Sequence, residues 1–223
     1  IEKDSDVNEE IERLRLAATT ALMSRRDVII VASVSCIYGL GNPENYGKSV
    51  IELKVGEIYR RNALLRQLIE SQYSRSDLDL RSGNFRVRGD TIEIFPAYED
   101  KFAYRITFFG DEIERIIRVN PTTGEISNQP DMVTIYPAKH FIADEARLKI
   151  ALNNIETELE DQIVKFKAND HLIEAQRIEQ RTRYDLEMLR EVGFCSGIEN
   201  YSRHLDLREP GSAPWTLMDY LPS

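Results

Sequence analysis

Apolar positions divide the chain into three stretches of different texture. In the first, residues 1–48, Asp6 and Glu9 mark a helix start, and Ile11, Leu14, Ala18 and Leu22 recur at helical spacing. Asp27 then leads into Val28-Ile29-Ile30-Val31-Ala32, an unbroken apolar run of the kind found in parallel strands buried on both faces. Ser33 to Gly41 follows at the expected C-terminal end of that strand, where open α/β sheets hold ligands. In the second stretch, 49–142, a short helix with Leu64, Leu65, Leu68 and Ile69 on one face precedes runs that alternate. Phe85 and Val87 point one way while Arg86 and Arg88 point the other, Gly89-Asp90 signals a hairpin turn, and Thr91–Phe95 returns. Tyr104–Phe109, Ile113–Val119 and Met132–Tyr136 continue the pattern, punctuated by Pro121, Gly124 and Pro130.

In the third stretch, 143–223, Leu148, Leu152, Ile155, Leu159, Ile163 and Phe166 form a heptad-like seam. Asn169-Asp170 can turn the chain, and Leu172, Ala175, Ile178, Leu186 and Leu189 suggest a helix running back to Gly193. Gly197, Pro210, Gly211 and Pro214 then mark loops. The pattern predicts an α+β chain: an antiparallel β-rich insert with a covering helix at 49–142, flanked at 1–48 and 143–223 by incomplete α/β segments that include a long helical hairpin.

Composition narrows the function classes. Hydrophobic residues make up 42% of the 223, enough for a real core, and no apolar run approaches the ~20 residues that span a bilayer. The net charge of −9 disfavours strong nucleic-acid binding by the chain alone, since phosphate neutralisation supplies most of such affinity. Cys36 and Cys195 read as two small buried thiols of a reducing cytosol, and His140, His171 and His204 lack metal-ligand spacing. The opening Ile1 suggests a piece of a longer chain.

Few motifs carry chemistry. Gly47-Lys48-Ser49 imitates the end of a phosphate-binding loop, but Asn42 occupies the first glycine position and Pro43 interrupts, so no ATP site is expected from it. Ser33, Ser35 and Tyr38 have hydroxyls that suit either phosphate contact or a capped turn. Arg75, Arg81, Arg86, Arg88 and Arg105 concentrate in the β-rich stretch. Such a stripe suits an acidic protein patch, or equally a solvated face whose arginines pair with local acids such as Glu93. No nucleophile–base set can be assembled, so no catalytic residue is expected.

Four longer strings go beyond generic patterning: Arg25 through Gly41; Phe85-Arg86-Val87-Arg88-Gly89-Asp90 with Ile94-Phe95-Pro96; Phe108 through Ile116; and Gln180 through Leu186 continuing from Gly193 to Arg203. In order, and over essentially the whole chain, they resemble the UvrB family, the damage-verifying subunits of the bacterial UvrABC excision nuclease. The resemblance implies cytoplasmic nucleotide excision repair within the SOS response. It implies that 1–48 and 143–223 are parts of a helicase-like (RecA-like) core and that 49–142 docks onto UvrA. It further implies that the parts using ATP and Mg²⁺ lie outside this chain, leaving it no cofactor, and that damaged DNA and UvrC are partners of the whole protein. Arg75, Arg86, Arg88 and Arg105 match the family's UvrA-docking arginines, and Thr107 stands where the family often has Glu. Reversing Arg86 and Arg88 is accordingly expected to abolish docking with the fold intact. Lys3 and Arg15 match residues near the DNA path, and Ser33, Ser35 and Tyr38 fall in the DNA-facing loop. The alternatives are a weak DNA-binding module and the N-terminal UvrA-binding module of a transcription-repair coupling factor; the Gly197–Arg203 string and the helical hairpin favour UvrB.

Overall fold

A computed structural model describes residues 9–37, 40–141 and 145–221. Strands dominate the middle of the chain because its alternating runs have partners close in sequence. β1 is Ile51–Lys54, β2 Ser74–Arg75, β3 Asn84–Arg88, β4 Thr91–Phe95, β5 Ala103–Phe109, β6 Glu112–Val119, β7 Ile126–Asn128 and β8 Met132–Ile135. Strands β2 to β7 form one six-stranded sheet in sequence order, antiparallel except for the β2–β3 pair. β1 and β8 form a separate antiparallel ladder, Ile51 opposite Ile135 and Lys54 opposite Met132. That ladder clasps the two ends of the middle stretch together.

Helix α3, Arg61–Glu70, follows β1, with Leu64 and Leu68 fully buried against the inner face of the sheet. Ile69, expected on the same face, is exposed. Phe85, Ile92, Ile94, Ile106, Ile113 and Ile116 supply that inner face. The same apolar cluster takes in Leu16 and Leu22 of α1 (Glu9–Ser24), Leu40, Tyr46 of α2 (Pro43–Lys48), and Leu217 and Tyr220 near the end. Gly47 and Lys48 are helical here and Ser49 caps α2, so the phosphate-loop imitation lies at the wrong end of a helix to cradle an anion. Gly41 passes so close to the insert's return that a Cβ there would lie 2.3 Å from the carbonyl oxygen of His140.

The junction between flank and insert is polar inside. Thr19 Oγ1 lies 3.1 Å from His140 Nε2, the Tyr220 hydroxyl donates to the Gly41 carbonyl at 2.9 Å, and the His140 and Tyr46 rings stack at 5.9 Å. Burial, helped by the charges of Arg15 and Lys139, pushes the His140 imidazole down to about 3. Between that value and the ordinary 6.5, the unfolded chain holds a proton that the folded chain does not, so stability falls on acidification through this window. Unfolding in urea at pH 7 and pH 5 should show a loss of about 2 kcal/mol. The His140→Gln variant should lose less over the same range; an equal loss would remove His140 as the source.

The helical hairpin is α4, Glu145–Ala168, and α5, Leu172–Val192. Its seam buries Leu152, Ile155, Leu159 and Ile163 against Ala175, Leu186 and neighbours, while Leu148 and Phe166 are half-buried at the ends. Leu172, expected in the seam, is exposed where the hairpin turns. Asp170 takes a left-handed conformation in that turn, and Gly193 at φ +71° caps α5 by donating to the Leu189 carbonyl. Phe141, Cys195, Ile198 and Leu205, the last in the single-turn helix α6 (Ser202–Leu205), complete a second core around the hairpin base.

The α+β expectation holds, but the first flank departs from its pattern. Val28–Ala32 is not a strand: no described strand pairs with it, and Ile29 and Val31 are 93% and 96% exposed. An apolar run calls for neighbouring strands but does not supply them. Helix α1 is also turned from its expected face: Leu16, Thr19 and Thr20 are buried while Ile11 and Leu14 are exposed.

Candidate functional site

Antiparallel register sorts the outer face of the six-stranded sheet into rows. Opposed residues share a face, so Arg86 on β3, Glu93 on β4 and Arg105 on β5 form one row, continued by Ile117 on β6. Glu93 is the centre. Its side chain is 5% exposed, Oε2 receives Nε of Arg86, and Oε1 receives Nε of Arg105 at 2.9 Å and lies 2.8 Å from its Nη2. Burial works to raise the Glu93 carboxyl, but the two guanidinium groups outweigh it and hold it below the usual carboxylate range. Two cations around one anion leave the row with net positive charge.

The two arginines differ in access. Arg86 is 13% exposed, whereas Arg105 is 37% exposed and can still offer donors outward. Arg88, two residues beyond Arg86 on the same face, is exposed and makes no ion pair among the described residues. Its row continues through Thr91 and Thr107 to exposed Arg115. Arg75 sits on the edge strand at the register position of Phe85 and pairs with Asp77 at 2.9 Å; Asp77 in turn accepts from the Val87 backbone N–H at 3.2 Å. The Arg75 guanidinium, with that backbone donor behind it, holds the Asp77 carboxyl below its ordinary range. Thus the structure joins Arg86 and Arg105 through Glu93, sets exposed Arg88 beside them with no ion pair but a weaker attraction to Asp77, and leaves Arg75 neutralised at the edge. Asp77 escaped the sequence reading; its position two residues from Arg75 was the available signal.

A family model described as the UvrB interaction domain matches residues 51–141, the stretch from the clasping ladder through the arginine-bearing sheet. A second, the UvrB third helical domain, matches 146–207, the hairpin and its base. The chain belongs to the UvrB family. It is 60% identical over 222 residues to the UvrABC system protein B of Geobacillus kaustophilus (strain HTA426) and to that of Bacillus caldotenax, and 59% identical to that of Bacillus subtilis (strain 168). Each match covers 100% of this chain and 34% of the relative, so the chain spans about a third of the length of the UvrB proteins it matches.

Of the residues that resemblance to UvrB associates with DNA, Arg15 and Ser33 are described, and neither lies on the six-stranded sheet. Arg15 is half-buried on α1 and pairs with Glu12 at 2.7 Å. Ser33 is exposed, its hydroxyl 3.2 Å from the Cys36 thiol. Arg15 and Ser33 line one recess of about 290 Å³ whose walls are mostly apolar, including Ile11, Leu14, Ile30 and Val31. Lys3, Tyr38 and the Ser35 side chain lie outside the described residues. Cys36, expected to be buried, is half-buried; Cys195 is buried, and burial pushes its thiol up to about 12. The described residues contain no helix long and apolar enough to cross a membrane.

At the hairpin base, the Tyr201 hydroxyl donates to Asp185 at 2.7 Å, and Glu158 is shared by Arg203 and His204. Burial lowers the His204 imidazole, against the pull of Glu158. Asp185, Tyr201 and Arg203 lie within the Gln180–Arg203 strings that carried the likeness to UvrB. Their contacts brace the loop against both helices.

Proposed function

We propose that this chain is the docking part of a UvrB protein in nucleotide excision repair, binding UvrA through the outer face of its six-stranded sheet. Residues 49–142 are the inserted docking domain, and 1–48 and 143–223 are portions of a helicase-like core. One observation supports the reading most: the stretch matched by the UvrB interaction domain contains a sheet face on which Arg88 stands exposed, with no ion pair among the described residues, beside the half-exposed Arg105. A guanidinium without an internal ion pair gives up little within its own chain when it meets a partner's carboxylate. Arg88 and Arg105 therefore make the direct contacts, Arg86 positions Arg105 through Glu93, and Arg75 contributes through its pair with Asp77.

The ATP- and Mg²⁺-dependent chemistry of the excision nuclease subunit, its grip on damaged DNA and its hand-over to UvrC belong to the whole cytoplasmic protein. This chain supplies docking and has no catalytic residue of its own. Arg15 and Ser33 would add at most a weak DNA contact. Mixed with purified UvrA, the chain should co-elute with it on size-exclusion chromatography at low salt and separate as salt is raised, because the contact is carried by arginines. Elution of the folded chain apart from UvrA at every salt concentration would refute the reading.

A further inference from the structure

Among the exposed large apolar side chains of the insert, which include Leu78, Ile69, Ile126 and Met132, two fall together on the arginine face: Phe109, 78% exposed, and Ile58, 73% exposed. The register gives them a common place. Phe109 ends β5 opposite Glu112, and Glu112 is bridged on its other side to Ile58. Phe109 follows the alternation of Arg105 and Thr107 onto the outer face while Phe108 points into the core; the extra residue at the β5–β6 bulge is Glu114, which lets Ile116 and Ile113 both face inward. Phe109, Glu112 and Ile58 are therefore the next row of the arginine face, one step beyond the row of Arg88, Thr91, Thr107 and Arg115. Rows on one face lie about 7 Å apart, so both fit within a single interface of ordinary size, about 800 Å² on each partner.

We propose that Phe109, flanked by Ile58, is the apolar anchor of this docking surface and enters a recess on the partner that the arginines alone would not select. The inference rests on the docking reading above and names the occupant as the same UvrA surface. Charge argues for a single partner: three guanidinium groups, Arg88, Arg105 and Arg115, call for carboxylates directly beside the recess. Glu112 within the apolar row, with Asp111 in the adjoining turn, calls for a cation on the far rim. The surface thus has a direction as well as a charge, which fixes how the partner lies across the strands. Exposed aromatics beside arginines have the composition of interface hot spots. Charges at the rim govern salt dependence, whereas an apolar anchor does not.

The test is calorimetric titration of UvrA with the wild-type chain and with Phe109→Ser, Phe109→Leu and Arg88→Glu at two salt concentrations, each chain checked by thermal melting. Phe109→Ser should bind at least ten-fold more weakly, about 1.4 kcal/mol, with unchanged melting and an unchanged salt dependence. Phe109→Leu should keep part of the affinity, and Arg88→Glu should flatten the salt dependence. Wild-type binding with Phe109→Ser within two-fold of it would overturn the anchor and leave the docking reading standing. A lowered melting temperature of Phe109→Ser would also overturn it, by making the ring structural. Absence of wild-type binding would remove the docking reading itself, and the anchor with it.

Discussion

Arg86→Glu should unfold the insert or come close to it. The side chain at position 86 is nearly enclosed and lies against Oε2 of Glu93, whose other oxygen is held by Arg105. A glutamate there sets two carboxylates against each other in a site that excludes most water. Breaking a buried charge pair from one side costs about 3–5 kcal/mol, and like-charge repulsion adds to that. Against a total stability of about 5–15 kcal/mol, the melting temperature should fall by roughly 10 °C or more. The deficit should shrink as pH drops toward 4–5, because a carboxylate facing another takes up a proton early. The wild type behaves oppositely: Glu93 is held below its ordinary range, so its contribution is complete above the unfolded value of 4.5 and is lost as pH falls through the folded one. An Arg86→Glu chain that melts within a degree of the wild type would show that the row does not hold the sheet together. The expectation from sequence, that reversing Arg86 leaves the fold intact, is therefore replaced by the opposite one.

Arg88→Glu should separate docking from folding. Arg88 is exposed, makes no ion pair among the described residues, and lies opposite Thr91. Surface substitutions of this kind change stability by about 0.5 kcal/mol or less. At the proposed interface the same change replaces an attraction to a carboxylate with a repulsion. Breaking such a pair costs about 2–5 kcal/mol, a loss of about 30-fold or more in affinity for UvrA. Because most interface substitutions act on dissociation, the complex should form more slowly only at low salt but fall apart faster at any salt.

The strands of the insert were legible because each pairs with its neighbour in sequence: the alternation of Phe85 and Val87 against Arg86 and Arg88, and the Gly89-Asp90 turn, carry β3 and β4 almost unaided. β1 was not legible. Its four residues pair with β8, about 80 positions on, and nothing local distinguishes Ile51 and Leu53 from a loop with two apolar residues. The error at Val28–Ala32 has the same cause in reverse, a strong local pattern with no described strand beside it. On α1, a count of apolar spacing favoured Ile11 and Leu14, whereas the buried face includes Thr19 and Thr20, whose hydroxyls bond to His140 and Tyr46.

The arginine site was half legible. The side chains were found, and Glu93 was named as a possible local partner. The two readings, docking stripe and internally paired face, divide between residues: Arg86 is chiefly an internal brace, whereas Arg88 is exposed without an ion pair among the described residues and stays available for the docking proposed above. Only the depth of Glu93 in the sheet separates them, and depth depends on what packs above a strand. The exposed Phe109 was hidden for a similar reason: it takes the outer face by plain alternation with Arg105 and Thr107, but whether anything packs above that face cannot be read from the strand itself.

The central claim is that the free outer-face arginines bind UvrA. It is tested most directly by titrating UvrA calorimetrically with the wild-type chain and with Arg88→Glu, each first shown to melt at the same temperature. The account predicts binding by the wild type and a loss of at least 30-fold in the variant. Equal affinities of the two folded chains at low salt would contradict it.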